Sequence, residues 1–532
     1  MRAMFGALWV TMSRLVHHLP AHRAHTHAGR TALACSKRSL SYAEVEVCIA
    51  GFAGELLAAG IGRGERVAVY CEKRWEAVVS LFAASRAGAV FVPVNPALKA
   101  DQVGHILRDC DVRMLVTTAD RLAPLSEMLT ACPGLTTVFA IGGQSGEVDG
   151  VSVLAWSDAG VPDAPPPHRV IDADMAAILY TSGSTGKPKG VVLTHRNVVA
   201  GAESVAEYLA LSSEDRILCV PPLSFDYGLN QVTTAFLAGA TAVMFNLLFA
   251  RDVVSAVVKH RITGLPCVAP LWIQVAELEW PESVREHLRY FTNTGGAMPR
   301  ETLARLRAAL PTTKPYLMYG LTEAFRSTYL PPEEADRRPD SIGKAIPNAE
   351  IMVVRPDGTP CAPNEPGELV HRGVHVSLGY WNDAEKTAER FRPAPGQPSG
   401  LVNPELAVWS GDTVRTDEEG FIYFIGRRDE MIKTSGYRVS PTEIEEVIYA
   451  TGLVGEAAAF GVKHPKLGDA IVVVATGAAD AANALRSECQ KRLPPYMVPA
   501  HIEIVAESLP RNPNGKIDRK ALAAARAELF GS

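Results

Sequence analysis

The chain has 532 residues, more than one ordinary hydrophobic core accommodates, so it divides into two or more domains. Hydrophobic residues at 47% and charged residues at 21% match a soluble globular protein, and a net charge of −5 with both signs mixed argues against a nucleic-acid or polybasic membrane surface. Nine cysteines with no Cys-x-x-Cys and no Cys/His cluster point to reduced thiols in a cytoplasmic setting and away from zinc.

In chain order, the mildly apolar start, residues 1–16, is too short to span a bilayer, is interrupted by Arg14 and shows no small-residue cleavage site. Met1 and Met12 are equally good starts. Residues 43–59 follow Ser41-Tyr42 as a helix with Val45, Ile49, Phe52, Leu56 and Leu57 on one face. Strands at 66–71, 89–94 and 113–117 alternate with helices at 75–87 and 100–108, which predicts parallel βαβ units. A Pro/Ala-rich surface connector occupies residues 158–169. Met175-Ala-Ala-Ile-Leu179 then reads as a buried strand ending at Tyr180-Thr-Ser-Gly-Ser-Thr-Gly-Lys-Pro-Lys-Gly190, with a second β-branched run, Val191-Val-Leu-Thr194, behind it.

That loop organises the rest. Thr181, Ser182, Gly183, Ser184, Thr185 and Gly186 leave the backbone free to bend around an anion with N–H and O–H groups turned inward. Lys187 and Lys189 add positive charge, so a polyphosphate is the natural ligand; a solvated Gly/Ser turn between strands rarely carries two lysines. The loop is not a Walker A motif: Thr181 stands where the first glycine belongs, Pro188 follows the lysine, and a strand rather than a helix comes next. A P-loop kinase or ATPase is thereby set aside.

Downstream, a helix at 197–209, strands at 217–220, 240–245 and 264–268 and a helix at 252–260 continue the alternation. Arg289-Tyr-Phe-Thr-Asn293 runs into Thr294-Gly-Gly-Ala297, and Tyr316-Leu-Met-Tyr319 into Gly320-Leu-Thr-Glu323; strand ends opening onto glycine are where open α/β sheets place ligands. From Ser341, short strands at 350–354, 367–370 and 420–425 suggest a smaller β-rich subdomain, with a Pro/Gly-rich surface loop at 393–404. After a charged break at 426–430, helices at 441–449 and 481–492 and strands at 457–462 and 470–475 make a compact tail. The expected fold is α/β: a large N-terminal domain (1–425) of stacked α/β sheets plus the β-rich subdomain, a hinge (426–430), and a small mobile α+β C-terminal domain (431–532).

In order and spacing, from Ser41 to Ala525, these motifs resemble the adenylate-forming superfamily: acyl-CoA synthetases, the adenylation domains of nonribosomal peptide synthetases, and luciferases. The resemblance implies ATP-dependent conversion of a carboxylic acid to acyl-AMP with release of pyrophosphate, then transfer to a thiol, using ATP, Mg²⁺ and coenzyme A. It makes residues 181–189 the phosphate loop and assigns Gly295, Gly296, Ala297, Tyr319 and Gly320 to the adenine. Thr322 and Glu323 match the contacts to α-phosphate and Mg²⁺, and Asp412 of Trp409-Ser-Gly-Asp412, joined by Arg427, matches the ribose ligand. Lys516 of Pro513-Asn-Gly-Lys-Ile-Asp518 matches the adenylation lysine. Lys433 and Gly436 of Lys433-Thr-Ser-Gly-Tyr-Arg438 match the thioester-forming face, and Asp429 the hinge.

The chemistry suits these roles. A hard cation takes carboxylate and phosphate oxygens. A lysine between two anions offsets their repulsion as the carboxylate attacks phosphorus. Taken singly, Glu323 reads as a helix N-terminal charge, Asp412 as part of a turn and Lys516 as an exposed lysine. His195 is read as structural.

Phe225-Asp226 leaves the acid open. The pair resembles the one with which amino-acid-adenylating domains hold a substrate ammonium; equally, Asp226 caps a helix starting at Tyr227. The stretches 318–332 and 341–348 resemble acyl-CoA ligases associated with exosortase A systems, whose loci often encode an acyl carrier protein, so carrier-protein phosphopantetheine stands beside free CoA as acceptor. Three functions follow: an acid–thiol ligase forming acyl-CoA, a stand-alone adenylation enzyme loading a carrier protein, and a non-catalytic acyl-adenylate binder. The presence of Lys433, Lys516, Glu323 and Asp412 together counts against the last.

Overall fold

The structure is a computed structural model describing residues 13–36, 38–148, 150–157, 168–181, 188–427, 430–434, 437–464, 467–512 and 515–531. Outside the described residues lie 182–187 of the phosphate loop, Asp429, Gly436 and most of the 158–169 connector; the side chain of Lys433 is also outside the description.

Three sheets carry the chain. The first has eight strands in the order Lys189–Thr194, Met175–Thr181, Val90–Pro93, Arg66–Tyr70, Val112–Thr118, Thr137–Ile141, Val151–Ala155 and Gly146–Val148. Its inner pairings are all parallel, as the βαβ alternation predicts, and an antiparallel hairpin closes each edge. One such edge hairpin flanks the segment read as the phosphate loop, with Lys189 opposite Thr181.

The second sheet, of fourteen strands, contains a parallel run: Thr31–Ala34, Thr241–Met244, Arg216–Cys219, Gly264–Val268, Tyr290–Thr294 and Lys314–Tyr319. It then turns antiparallel through Thr328–Leu330, Ser341–Ala345, Ile422–Arg427, Leu406–Thr416, Gly367–Gly373 and Ala349–Val354. The β-rich region read from the sequence is therefore hydrogen-bonded to the parallel run as one continuous sheet.

Between the two sheets lie helices buried on every side. In Trp75–Arg86 each residue from Glu76 to Ser85 is buried, and in Asp226–Ala238 each from Tyr227 to Phe236. A helix with no polar stripe belongs between two apolar layers. Phe82, Phe236, Phe52 and Tyr42 pack there in one cluster with Val67, Phe91, Ile217 and Ala242 from the two sheets. Ser41 starts the helix Tyr42–Ala58 with a capping box closed by Glu44. The outer face of the first sheet is covered by Val103, Ile106, Leu107, Leu125 and Leu129, and that of the second by Val253, Trp272, Leu303 and Leu306. The result is five layers, helices alternating with sheets.

The third sheet, five strands from Ile432–Thr434 to His501–Val505, has its own core. Ile444, Ile448, Leu485 and Cys489 pack on one face, Leu509 and Leu522 on the other. Among the described residues no helix is long and apolar enough to cross a membrane.

Candidate active site

Two neighbouring parallel strands end at the glycine segments read from the sequence as adenine contacts. Tyr290–Thr294 runs into Gly295, and Lys314–Tyr319 into Gly320. Gly295 has φ +78°, which an L side chain rarely adopts, and a Cβ built there would lie 3.4 Å from Lys516 Cε. That contact is an ordinary one, so glycine serves the left-handed backbone of the strand end, against which the C-terminal lysine packs. Lys516 sits on a tight turn held by Asn512, whose Oδ1 accepts from the Lys516 N–H at 3.1 Å and whose N–H donates to the Lys516 carbonyl at 2.8 Å.

A cavity of about 620 Å³ opens here, lined by Gly295, Ala297, Tyr319, Asp412, Arg427 and Lys516, with Glu443 and Glu446 of the helix Pro441–Tyr449 on its far wall. Much of the surface of Lys516 faces this cavity. The cavity walls nonetheless desolvate its ammonium and lower its pKa, an effect added to by Arg427 and opposed by Asp226, Glu430 and Asp412.

Asp412 and Arg427 face each other across two paired strands, their Oδ1 and Nε 3.3 Å apart. Tyr319 donates to the other oxygen, Oδ2, at 2.5 Å. Burial raises the carboxyl's pKa, while Arg427 and Tyr319 hold it down. Asp412 Oδ1 makes no hydrogen bond among the described residues, so a buried acceptor remains for a ligand hydroxyl.

Glu323 lies in the single turn Thr322–Ala324 after the strand. Tyr380 donates to its Oε1 at 2.5 Å, and the Ser377 N–H to its backbone carbonyl at 2.9 Å. The same segment pairs with the strand behind the phosphate loop: Val192 donates to the Gly379 carbonyl at 2.9 Å and Trp381 to the Gly190 carbonyl at 2.7 Å. Lys189 reaches across it, 3.9 Å from Asp383 and 5.6 Å from the Tyr380 ring centre. Residues 377–383 therefore tie the phosphate-loop hairpin to Glu323. No group of three or more metal-ligating side chains occurs among the described residues.

At the acid end the helix begins at Asp226, with Phe225, half-buried, in the N-cap position and no side chain capping it. The capping role expected for Asp226 is not found. Its Oδ2 accepts instead from Arg326 Nη1 at 2.5 Å, and Thr322 Oγ1 lies 3.5 Å from Oδ1. Arg326 is 2% exposed. It is turned inward by Phe325, which holds φ +54° and packs where a Cβ on Gly201 would stand 2.1 Å from its ring.

Two family models cover most of this chain: AMP-binding enzyme over residues 20–381, and AMP-binding enzyme C-terminal domain over residues 443–516. The chain belongs to the AMP-binding enzymes. L-proline--[L-prolyl-carrier protein] ligase of Pseudomonas fluorescens is 30% identical over 96% of this chain and 99% of its own. Indoleacetate--CoA ligase of Aromatoleum aromaticum is 30% identical over 92% and 94%. The structure of O-succinylbenzoate coenzyme A synthetase (MenE) from Bacillus subtilis, in complex with ATP and magnesium ion, superposes with a TM-score of 0.79 at 25% identity, over 95% of this chain and 98% of that one. Several further relatives are far longer, and this chain spans 6–19% of their length.

In this AMP-binding enzyme the structure brings together Lys516, Gly295, Ala297, Tyr319, Asp412 and Arg427 around one cavity, with Gly296 and Gly320 on its rim. Asp226 adjoins Thr322, and Glu323 is the next residue. Lys433 lies in the strand Ile432–Thr434, which pairs with Tyr437–Val439. His195 is structural, as expected: it is buried under the N-terminal helix and accepts from the Val16 N–H. Sequence reasoning missed Tyr380, Arg326 and Asn230. Neither Arg326, flanked by Phe325 and Ser327, nor Tyr380 carries a local sequence signal of its role.

Proposed function

We propose that this enzyme joins a carboxylic acid to a thiol through an acyl-adenylate. The carboxylate oxygen attacks the α-phosphorus of ATP, the bond from that phosphorus to the bridging oxygen breaks, and pyrophosphate leaves. A thiol then attacks the acyl carbonyl, loses its proton and displaces AMP. One observation carries this reading: Lys516, on the C-terminal sheet's turn, lies against Gly295 within the same cavity as Asp412, Arg427 and Tyr319.

Asp412, with one buried oxygen unbonded, is suited to the ribose hydroxyls, and Arg427 holds it there. The flat cleft between Gly295–Ala297 and Tyr319–Gly320 suits adenine, and Ser182 to Lys187 with Lys189 suit the outer phosphates. Lys516, lining the same cavity, is suited to bridge the attacking carboxylate and the α-phosphate, where a cation stabilises charge that redistributes during the step. Glu323 would hold Mg²⁺, which when bound neutralises phosphate charge, the protein supplying one carboxylate and Tyr380 fixing its orientation.

Thioester formation is assigned to the other face of the C-terminal unit, at Lys433 and Gly436, presented by rotation about Asp429 between the units 1–425 and 431–532. Free CoA is the first reading of the acceptor and carrier-protein phosphopantetheine the second. The resemblance to exosortase A-associated ligases favours the carrier, and a cytoplasmic location accords with either.

Lys516→Ala is expected to lower ATP–pyrophosphate exchange by on the order of 10²–10³ while leaving thioester formation from a supplied acyl-adenylate largely intact. Lys433→Ala should do the reverse. Exchange near wild type in Lys516→Ala would remove the assignment, and equal loss of both half-reactions in both variants would remove the two-face scheme.

A further inference from the structure

The acid end of the site holds buried polar groups that the nucleotide chemistry does not use. Arg326, 2% exposed, donates through Nη1 to Asp226 Oδ2 at 2.5 Å and to the Phe325 carbonyl at 3.1 Å. Its Nε and Nη2 are buried with no partner among the described residues. The Tyr227 ring centre lies 5.1 Å from the guanidinium carbon, and the two bonds from Nη1 hold the group in place, so the remaining donors are held with it. One helical turn beyond Asp226, on the same side of its helix, Asn230 is 1% exposed and both its Nδ2 and its Oδ1 are unpartnered. Native interiors seldom leave such groups unpaired, and three donor atoms and an acceptor, on the partner of Asp226 and on the residue one helical turn beyond it, suit a polar ligand.

We propose that the activated acid carries a second oxygen acceptor, a ketone or a second carboxylate, remote from the carboxyl that reacts, and that Arg326 and Asn230 receive it. The inference rests on the adenylating reading only for the identity of the reacting carboxyl, which is placed by Lys516; Asp226 lies within the electrostatic reach of that lysine. A hydrocarbon tail would seal the Arg326 and Asn230 donors away from any acceptor. An ammonium would meet an Asp226 whose charge is already matched by Arg326, with a second cation beside it. An acceptor on the tail satisfies what the pocket already offers. Arg326 is then a specificity-determining residue, with Asp226 as the positioning residue that aims it.

The test compares hexanoate, 5-oxohexanoate, adipate and norleucine, with the four- and eight-carbon homologues of each, on the full-length protein. ATP–pyrophosphate exchange gives kcat/KM, and isothermal titration gives affinity without chemistry. In wild type the keto or dicarboxylic member should exceed the hydrocarbon member by at least about tenfold in both measures, because a site built to pair an acceptor rejects the analogue lacking it. Arg326→Met should collapse that ratio towards unity. If the single variant fails to fold because it strands Asp226, the double variant Asp226→Asn with Arg326→Met removes both charges together and reads the same ratio. The keto and dicarboxylic arms separate a neutral from an anionic acceptor. Equal or better use of hexanoate or norleucine by wild type, or a ratio that the variants do not move, overturns the proposal. Titration following the expected order with no exchange for any acid leaves it standing and removes the adenylating reading instead.

Discussion

Tyr319 and Tyr380 each donate a 2.5 Å hydrogen bond to a carboxylate of the site, Asp412 and Glu323. Burial first, then the neighbouring carboxylate, holds both phenols well above their ordinary pKa, so both remain donors at any working pH. A hydrogen bond to a charged acceptor contributes about 1.5–3 kcal/mol, and here it also fixes which way the carboxylate points. Tyr380→Phe should therefore lower the exchange rate by about tenfold, matching the low end of that range, with the acid's KM little changed. Titrating Mg²⁺ in the exchange assay checks the cause: the variant should need more metal than wild type. An unchanged rate and an unchanged metal requirement would show that Glu323 needs no such support.

At the scale of elements, the helix Asp226–Ala238 is the most constrained part of the site, because it must enter the space between two sheets directly after the turn at Pro221–Pro222. Gly228 makes this possible: a Cβ built there would lie 1.9 Å from the Pro222 carbonyl oxygen and 2.8 Å from that of Pro221. Both obstacles are backbone, so neither can swing aside. Gly228→Ala is expected to cost about 1–3 kcal/mol or more through overpacking and to tilt Asp226 away from Arg326. Gly400, with nothing within 4 Å of a built Cβ, provides the control. Thermal melts should show Gly228→Ala several degrees below wild type, at roughly 2–4 °C per kcal/mol, and Gly400→Ala unchanged. Equal melting of the two would mean that the helix relaxes freely. Gly201 works by the same logic, admitting the Phe325 ring, which lies 2.1 Å from where a Cβ on Gly201 would stand.

At the scale of the molecule, buried histidines tie stability to pH. Burial lowers His195 and His375 to about 4 and His371 to about 3. His195 accepts from the Val16 N–H; His371 and His375 meet edge to face with ring centres 5.9 Å apart, bonded to Ser327 and Ser204 respectively. The unfolded chain protonates histidine near 6.5, the folded chain only near 4, so between those values unfolding takes up protons. Stability is thus full above about pH 6.5 and falls as the pH drops towards 4, by about 2 kcal/mol per histidine at pH 5. The carboxylates held low by ion pairs, such as Asp172 and Glu503, act below that window. Melting temperatures taken from pH 7.5 to 4.5 should decline steeply below 6.5, and a flat profile to pH 5 would show that these histidines are hydrated when folded.

The order of elements and the position of each nucleotide motif were legible in the sequence because both are local. Period-2 and period-3.6 patterns report which residues turn inward, and glycine after a strand reports a backbone that bends at its C-terminal end. Periodicity alone assigned no role to Asp412 or Arg427; the resemblance joined them, and the register between Leu406–Thr416 and Ile422–Arg427 sets them face to face. The β-rich stretch read as a smaller subdomain of the N-terminal domain, but short strands carry no information about their neighbours, and Thr328 pairing with Ala345 shows how it joins the parallel run. Asp226 read as a cap or an ammonium ligand because its partner, Arg326, lies 100 residues away, and Tyr380 is 57 residues from Glu323. Periodicity says that a side chain is buried and never what it is buried against. Hydrogen bonds and ion pairs at the acid end join groups distant in the chain, so tertiary packing alone decided them.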